Sequence, residues 1–162
     1  MSAFSNPLPG FKTLHTAAID ASSIIYMQKA GFLDLAAKAV KLHAPEAVIA
    51  ETGYRLPRIE EHRFPADEPM PADEQVLDLA RSLKIPVVSE DRKVLLGAKK
   101  IGLVYYNALM VLCFLLYKKR MGRETFDGHK RKLLAIARYS AEVIAFGEKI
   151  AEQVVAVEGL EH

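Results

Sequence analysis

Four carboxylates lie at the ends of predicted strands or at the start of a predicted helix, positions where functional side chains commonly occur in α/β proteins. Asp20 and Glu51 each come directly after a short apolar run, Asp91 comes just after a third run, and Asp73 opens a helical pattern. Because the carboxyl ends of parallel strands meet at one edge of a sheet, we expect these side chains to share one site. Grouped carboxylates repel one another, and hard divalent cations prefer oxygen ligands. The sequence therefore predicts an acidic cation site.

Two of the four assignments have an alternative beside them in the sequence. Glu74 follows Asp73, and Glu90 precedes Asp91. Consecutive side chains on a helix point about 100° apart, so Asp73 and Glu74 face different directions. We prefer Asp73 because it leads the register of the apolar face of its helix. Any one of these acids taken singly is better explained as a helix cap. A cation site is favoured only by the placement of all four together.

Other chemistries find less support in the residue pattern. Ser22 or Ser23 is expected to cap the helix that follows Asp20, which leaves the Asp20 carboxylate for a cation. No persuasive arrangement of Ser, His and Asp or of Cys and His indicates a nucleophilic side chain. The histidines lack the paired spacing of a zinc site, and we expect none. They are His15, His43, His62, His129 and His162.

Apolar runs alternate with helical patterns along the chain. Strands are predicted at 16–19, 47–50, 85–89 and 103–106, and helices from 22 to 30 and at 32–42, 71–84, 92–100, 108–121 and 131–157. The proline-rich stretch 53–71 is predicted to be a loop with at most a short helical piece near 58–63. This order predicts an α/β fold with a mostly parallel sheet covered by helices on both faces.

The composition indicates a globular chain. Its 162 residues are 51% hydrophobic and 26% charged, which suits one domain with a substantial core and excludes a disordered chain. The formal charge of +2 indicates no particular partner. Cys113 is the single cysteine, which excludes an intrachain disulfide and indicates a buried thiol in a reducing compartment such as the cytoplasm.

Three segments bear on location and processing. Residues 1–10 have no apolar core, so we expect no secretory signal there. The apolar segment 101–117 is near the lower length limit of a membrane-spanning helix, but Gly102 and Asn107 interrupt it. We expect it to be a buried strand followed by a buried helix, with no membrane partner. Residues 160–162 resemble the start of a C-terminal affinity tag.

Several motifs together resemble those of PIN domains. The similar segments are Ile19-Asp20-Ala21-Ser22, Val48-Ile49-Ala50-Glu51, residues 72–80, Val87-Val88-Ser89-Glu90-Asp91-Arg92 and residues 102–112. The resemblance covers roughly residues 16–122. It implies a three-layer α/β/α fold with four or five strands, preceded by an irregular segment, 1–15. Residues 123–159 would then form a C-terminal helical extension.

The resemblance also implies a function and a set of site residues. It predicts a metal-dependent endoribonuclease with one or two Mg²⁺ or Mn²⁺ ions held by Asp20, Glu51, Asp73 and Asp91. Ser22 and Asn107 would be supporting polar residues. Small PIN proteins are often toxins, so an antitoxin-like protein partner is a further expectation, as is a homodimer. The long proline-rich loop between the second and third acids and the extension after Gly122 depart from the family pattern.

The charge distribution favours RNA as a partner. Between Arg92 and Lys132 there are eleven Lys and Arg residues and only two acids, so the near-neutral total hides a basic second half. The candidates for contact with nucleic acid are Arg92, Lys93, Lys118, Lys119 and Arg120.

Two competing interpretations keep the α/β class and change the function. The first is a non-catalytic PIN-like module that binds RNA or a protein. The second is a phosphotransfer or receiver-type domain that uses the acidic edge of the sheet. We find no lysine in the usual position after a late strand for that second class, and it leaves the Asp73 helix unexplained.

Overall fold

The chain forms a five-stranded parallel sheet covered by helices, a three-layer α/β/α arrangement. A computed structural model describes residues 6–65 and 70–160. The strands are β1 (Thr16–Ile19), β2 (Lys41–Pro45), β3 (Glu60–His62), β4 (Val87–Val88) and β5 (Tyr105–Tyr106), in the order β3-β2-β1-β4-β5. The helices are α1 (Leu8–Phe11), α2 (Ala21–Ala30), α3 (Leu33–Ala39), α4 (Glu46–Thr52), α5 (Ala72–Leu83), α6 (Arg92–Lys100), α7 (Ala108–Tyr117), α8 (Arg123–Ile136) and α9 (Ala141–Leu160). The predicted fold class is confirmed.

The core is built around β1 and α7. Residues Ala17, Ala18 and Ile19 of β1 are fully buried, as expected for a central strand of a parallel sheet covered on both faces. Helix α7 is buried on all sides from Ala108 to Leu116, which explains its unbroken apolar sequence. Within residues 6–65 and 70–160, no helix is both long and apolar enough to cross a membrane.

Cys113 lies inside α7, as expected. It is fully buried, and burial raises the pKa of its thiol to about 12. Its Sγ donates a hydrogen bond to the Gly147 carbonyl of α9 over 3.6 Å. The thiol is therefore a packing group of the α7–α9 contact.

The predicted second strand was wrong. The run 47–50 lies within helix α4, and the strand is β2, whose first two residues we had assigned to the preceding helix. Short apolar runs do not distinguish a strand from a buried helix. The decision comes from pairing, because β2 lies parallel to β1 with Ala17 opposite Leu42. Glu51 consequently stands on α4 and not at a strand end.

Strand β3 also falls where we predicted a loop. Its residues Glu60, Glu61 and His62 carry no apolar pattern, so nothing local indicates a strand. The segment is extended because it pairs with β2, with His43 opposite Glu60. A short polar edge strand is the form in which proteins commonly end a sheet.

The terminal segments differ from their predictions in three ways. The segment 1–15 contains α1, whose Phe11 is fully buried and packs edge-on against Phe114. The single helix predicted at 131–157 is two helices, α8 and α9. The backbone becomes extended at Ala137, which ends α8. The Ser140 Oγ then accepts a hydrogen bond from the Val143 N–H in the first turn of α9. Residues 161 and 162 lie outside the described residues.

Gly147 and Gly128 should respond in opposite ways to alanine. A Cβ at Gly147 would overlap the Cδ2 of buried Leu109 and lie 2.8 Å from its Cγ, whereas a Cβ at Gly128 would meet nothing within 4 Å. We expect Gly147→Ala to lower the free energy of unfolding by roughly 1–3 kcal/mol through overpacking between α9 and α7. Gly128→Ala should raise it by about 0.5–1 kcal/mol through helix propensity. Urea titration of both variants measures the difference, and equal effects would contradict the close packing of α9 on α7.

Candidate active site

The candidate site lies at the carboxyl edge of the sheet, where the strand order changes direction. From β1 the chain adds β2 and β3 on one side and β4 and β5 on the other. The loops after β1 and β4 therefore diverge and leave a crevice, which is the usual ligand position in open α/β sheets. A cleft of about 560 Å³ occupies this place. It is lined by five acids, Asp20, Glu51, Asp73, Glu90 and Asp91, and also by Ser22 and Tyr26.

Asp20 is held rigidly at the entrance of helix α2. Its Oδ1 accepts hydrogen bonds from the Ser22 hydroxyl over 2.8 Å and from the Ser23 N–H over 3.2 Å. The side chain is therefore the N-cap of α2, and our expectation that a serine would cap this helix was wrong. An Asp can both cap and bind a cation because its carboxylate has about four acceptor sites. Only 7% of the residue is exposed.

Ser89 connects the two acids that flank the crevice. Its hydroxyl donates a hydrogen bond to Asp20 Oδ2, and its Oγ accepts one from the Asp91 N–H over 3.0 Å. Asp91 in turn is the N-cap of α6, where its Oδ1 accepts a hydrogen bond from the Lys93 N–H over 2.8 Å. Ser89 is fully buried, so this connection fixes the ends of β1 and β4 relative to each other.

The hydrogen bonds to Asp20 offset only part of the cost of burying its negative charge. Burial raises the pKa of the Asp20 carboxyl above its ordinary value, and repulsion from Asp91 adds to the rise. The hydrogen bonds from Ser89, Ser22 and the Ser23 N–H act in the opposite direction. Because burial outweighs them, the Asp20 carboxylate gains from a cation placed in the cleft.

Glu90 faces the protein and is bound by several donors. Its carboxylate accepts hydrogen bonds from the hydroxyls of Ser23 and Tyr139, and from the Ala108 N–H at 3.0 Å and 3.2 Å. Burial is the main cause that raises its pKa to about 7. A carboxyl group that is engaged on both oxygens and half protonated near neutral pH is a weak cation ligand. The geometry therefore favours Asp91 over Glu90 as the ligand after β4.

Glu51 and Asp73 reach the cleft from two helices. Glu51 lies in the last turn of α4, and Asp73 lies in the first turn of α5. Neither carboxylate has a hydrogen bond or an ion pair to another side chain or backbone group in the described part of the chain. Glu74 is exposed and does not line the cleft, so the position favours Asp73 of these two neighbours.

Asn107 supports the site from behind. It is 3% exposed and is the N-cap of α7, where its Oδ1 accepts a hydrogen bond from the Met110 N–H over 2.9 Å. The cap orients the first residue of α7, Ala108, so that its N–H donates a hydrogen bond to the Glu90 carboxylate. Asn107 therefore stands next to the cleft without lining it.

In the part of the chain that the structure describes, no more than two cleft acids lie close enough together to ligate one ion in their present positions. Among residues 6–65 and 70–160, no three cleft acids have ligand atoms all within 4.8 Å of one another. Mg²⁺ is commonly held by one or two carboxylates and completes its shell with water and substrate oxygens. The donor set fits such an ion, because the cleft offers carboxylate oxygens and no Cys or His.

The predicted nucleic-acid contacts separate into two groups. Arg92 and Lys93 are exposed in the first turn of α6, directly after Asp91, and so lie beside the cleft. The segment Lys118–Arg120 follows the carboxyl end of α7, whose amino end lies at Glu90. The ten residues of α7 span about 15 Å, so this basic segment lies toward the opposite edge of the sheet.

Sequence reasoning missed three features of this protein. Ser89 could have been found, because it is a polar residue between a buried strand and the acid pair. Tyr139 has no local signal, since it reaches Glu90 from the turn between α8 and α9. The third feature is a group of two histidines and a glutamate from β2 and β3, which the spacing along the chain does not indicate.

Comparison with known proteins gives few matches. No protein-family model matches the sequence. None of the curated proteins matches it either. Among solved structures, the chain is similar to Rae1 (YacP) from Bacillus subtilis, with 15% sequence identity and a TM-score of 0.41. The match covers 90% of this chain and 93% of that chain. Similarity at this level assigns neither a family nor a function.

Proposed function

We propose that this chain is a metal-dependent endoribonuclease of the PIN type that hydrolyses RNA phosphodiester bonds in the acidic cleft. The observation that carries the proposal is the meeting of Asp20, Glu51, Asp73 and Asp91 around one cleft at the switch point of the sheet. A cation in the cleft would offset the repulsion between these carboxylates. The resemblance of the sequence motifs to PIN domains supplies the expectation that the substrate is RNA.

Asp20 and Asp91 would hold Mg²⁺ or Mn²⁺, and Glu51 and Asp73 would face the ion and its waters across the cleft. When bound, such an ion lowers the pKa of water and stabilises charge on a phosphoryl group. Ser22, Ser89 and the Ser23 N–H keep the Asp20 carboxylate in one orientation before a substrate arrives. A site that is oriented in advance loses no energy to reorganisation during the reaction.

The helix ends around the cleft favour an anionic substrate. Helices α2 and α6 begin at Asp20 and Asp91, and their amino ends carry partial positive charge. Arg92 and Lys93 add full charges on the same side. These groups oppose the negative potential of the acids and so allow a phosphate to approach once a cation is bound.

Cleavage of RNA should depend completely on a divalent ion. We expect a fluorescent, mixed-sequence single-stranded RNA to be cut with Mg²⁺ or Mn²⁺, to be left intact with excess EDTA, and to be cut again when Mg²⁺ is restored. Gel separation of the products measures cleavage. A DNA strand of the same sequence serves as the control for substrate class. Cleavage that continues in EDTA would contradict the proposal.

A second candidate function is a PIN-like module that binds RNA without cutting it. The observation that favours it is that no three cleft acids, among the described residues, have ligand atoms all within 4.8 Å. Tight RNA binding with no cleavage over a full range of Mg²⁺ and Mn²⁺ concentrations would support this function and exclude the first.

A further inference from the structure

The edge strand β3 and its neighbour β2 bring two histidines and a glutamate to one point. The parallel register places His43 of β2 opposite Glu60 of β3, and His62 follows Glu60 by two residues. Side chains two residues apart on a strand share a face, so all three point to the same side of the sheet. Their ligand atoms lie within 4.8 Å of one another.

The distances between these groups are close to those of a metal site. The Nδ1 of His43 is 2.9 Å from the Nε2 of His62, a hydrogen bond that a bound metal ion would replace, and 3.7 Å from the Oε2 of Glu60. Two imidazole nitrogens on a tetrahedral zinc ion lie about 3.3 Å apart, given bonds of 2.0–2.1 Å. To reach that spacing, the half-buried His62 and the exposed Glu60 would have to approach each other by at most about 1.5 Å.

The site is also partly shielded and partly open. His43 is 8% exposed, which keeps its ring in one place, whereas Glu60 is exposed and leaves an approach from solvent. None of the three residues lines the acidic cleft. Imidazole suits zinc and neighbouring transition metals rather than Mg²⁺, so this group differs in chemistry from the cleft.

We propose that His43, Glu60 and His62 form a binding site for one Zn²⁺ ion or a transition-metal ion of similar preference. Three protein ligands leave one tetrahedral position for water or another ligand. Because the ligands come from both β2 and β3, the ion ties the edge strand to its neighbour. Lys41 competes for the site, since its Nζ lies 3.3 Å from the Oε2 of Glu60.

Titration of the metal-free protein with ZnCl₂ in a calorimeter tests this proposal. We expect one equivalent to bind tightly, ahead of any weaker binding in the acidic cleft, and we expect His62→Gln to weaken this tight binding at least about 100-fold through loss of a ligand. Co²⁺ should give the visible absorption bands of a tetrahedral complex with the unchanged chain and lose them in His62→Gln. Far-UV circular dichroism without metal verifies that the variant is folded.

Two matched variants separate this site from other metal-binding groups. His15→Gln removes an exposed histidine elsewhere and should leave the affinity unchanged. Asp20→Asn alters the acidic cleft and should also leave the single Zn²⁺ equivalent in place. Zn²⁺ binding that is absent in the unchanged chain, that survives in His62→Gln, or that is lost in Asp20→Asn would overturn the proposal.

Discussion

Asp20→Asn should reduce RNA cleavage at least about 100-fold while the protein stays folded, a loss of about 2.7 kcal/mol of transition-state stabilisation. The amide cannot supply the negative charge that a cation needs at this point of the cleft. It can still cap helix α2, because Asn and Asp are equally good N-caps. It also removes a buried carboxylate whose pKa is raised by burial. Catalysis should therefore fall without a comparable loss of stability.

The measurement is the initial rate of cleavage at saturating Mg²⁺, together with a thermal melt of each variant. Asp78→Asn is the matched control, since Asp78 lies on α5 outside the cleft and pairs with Arg81 over 2.8 Å. The control should keep the rate of the unchanged protein. Equal rates for Asp20→Asn and Asp78→Asn would remove Asp20 from the reaction.

Glu90→Gln should abolish a fall in stability between about pH 4.5 and pH 7. The pKa of the Glu90 carboxyl rises from its ordinary 4.5 to about 7 in the folded protein, mainly through burial. The folded state therefore binds more protons than the unfolded state in this window, and its stability decreases as pH rises. A shift of this size corresponds to roughly 3 kcal/mol, which is present below pH 4.5 and lost by about pH 7.

Urea titrations at several pH values between 4.5 and 7.5 measure this effect as the difference between Glu90→Gln and the unchanged protein. Glu124→Gln, at an exposed position in the first turn of α8, is the control and should retain the original pH dependence. Repulsion from Asp20 contributes to the raised pKa of Glu90, so the difference between the proteins reports Glu90 together with this coupling. An identical slope with and without Glu90 would exclude its burial as the cause.

The Glu90 network also explains how the C-terminal helices bear on the cleft. Tyr139 lies between α8 and α9, and its hydroxyl donates a hydrogen bond to Glu90. Burial and the neighbouring Glu90 raise the pKa of the tyrosine hydroxyl, so it stays protonated and remains a donor. The segment beyond Gly122, which departs from the PIN pattern, is therefore joined to the loop after β4 by a direct contact.

Local signals in the sequence were sufficient for the elements that carry the two flanking acids. Strand β1 and helix α6 lie where we predicted them, because a buried run of small apolar residues ends at Asp20 and a capped amphipathic pattern begins after Asp91. The position of Asp73 in the first turn of α5 was predictable for the same reason. Periodicity and caps act within a few residues, so the chain contains them in readable form.

The tertiary structure decided what depends on pairing and on distance. β2 and β3 are strands because they pair with β1 and with each other, and that pairing alone brings His43, Glu60 and His62 together. The same holds for Tyr139, which is 49 residues from Glu90 along the chain. The sequence by itself determined the α/β class and the places of Asp20, Asp73 and Asp91, since these follow from local patterns. Glu51, by contrast, was expected at a strand end and lies on α4. The protons, partners and spacing of those acids follow from long-range packing, which no local pattern contains.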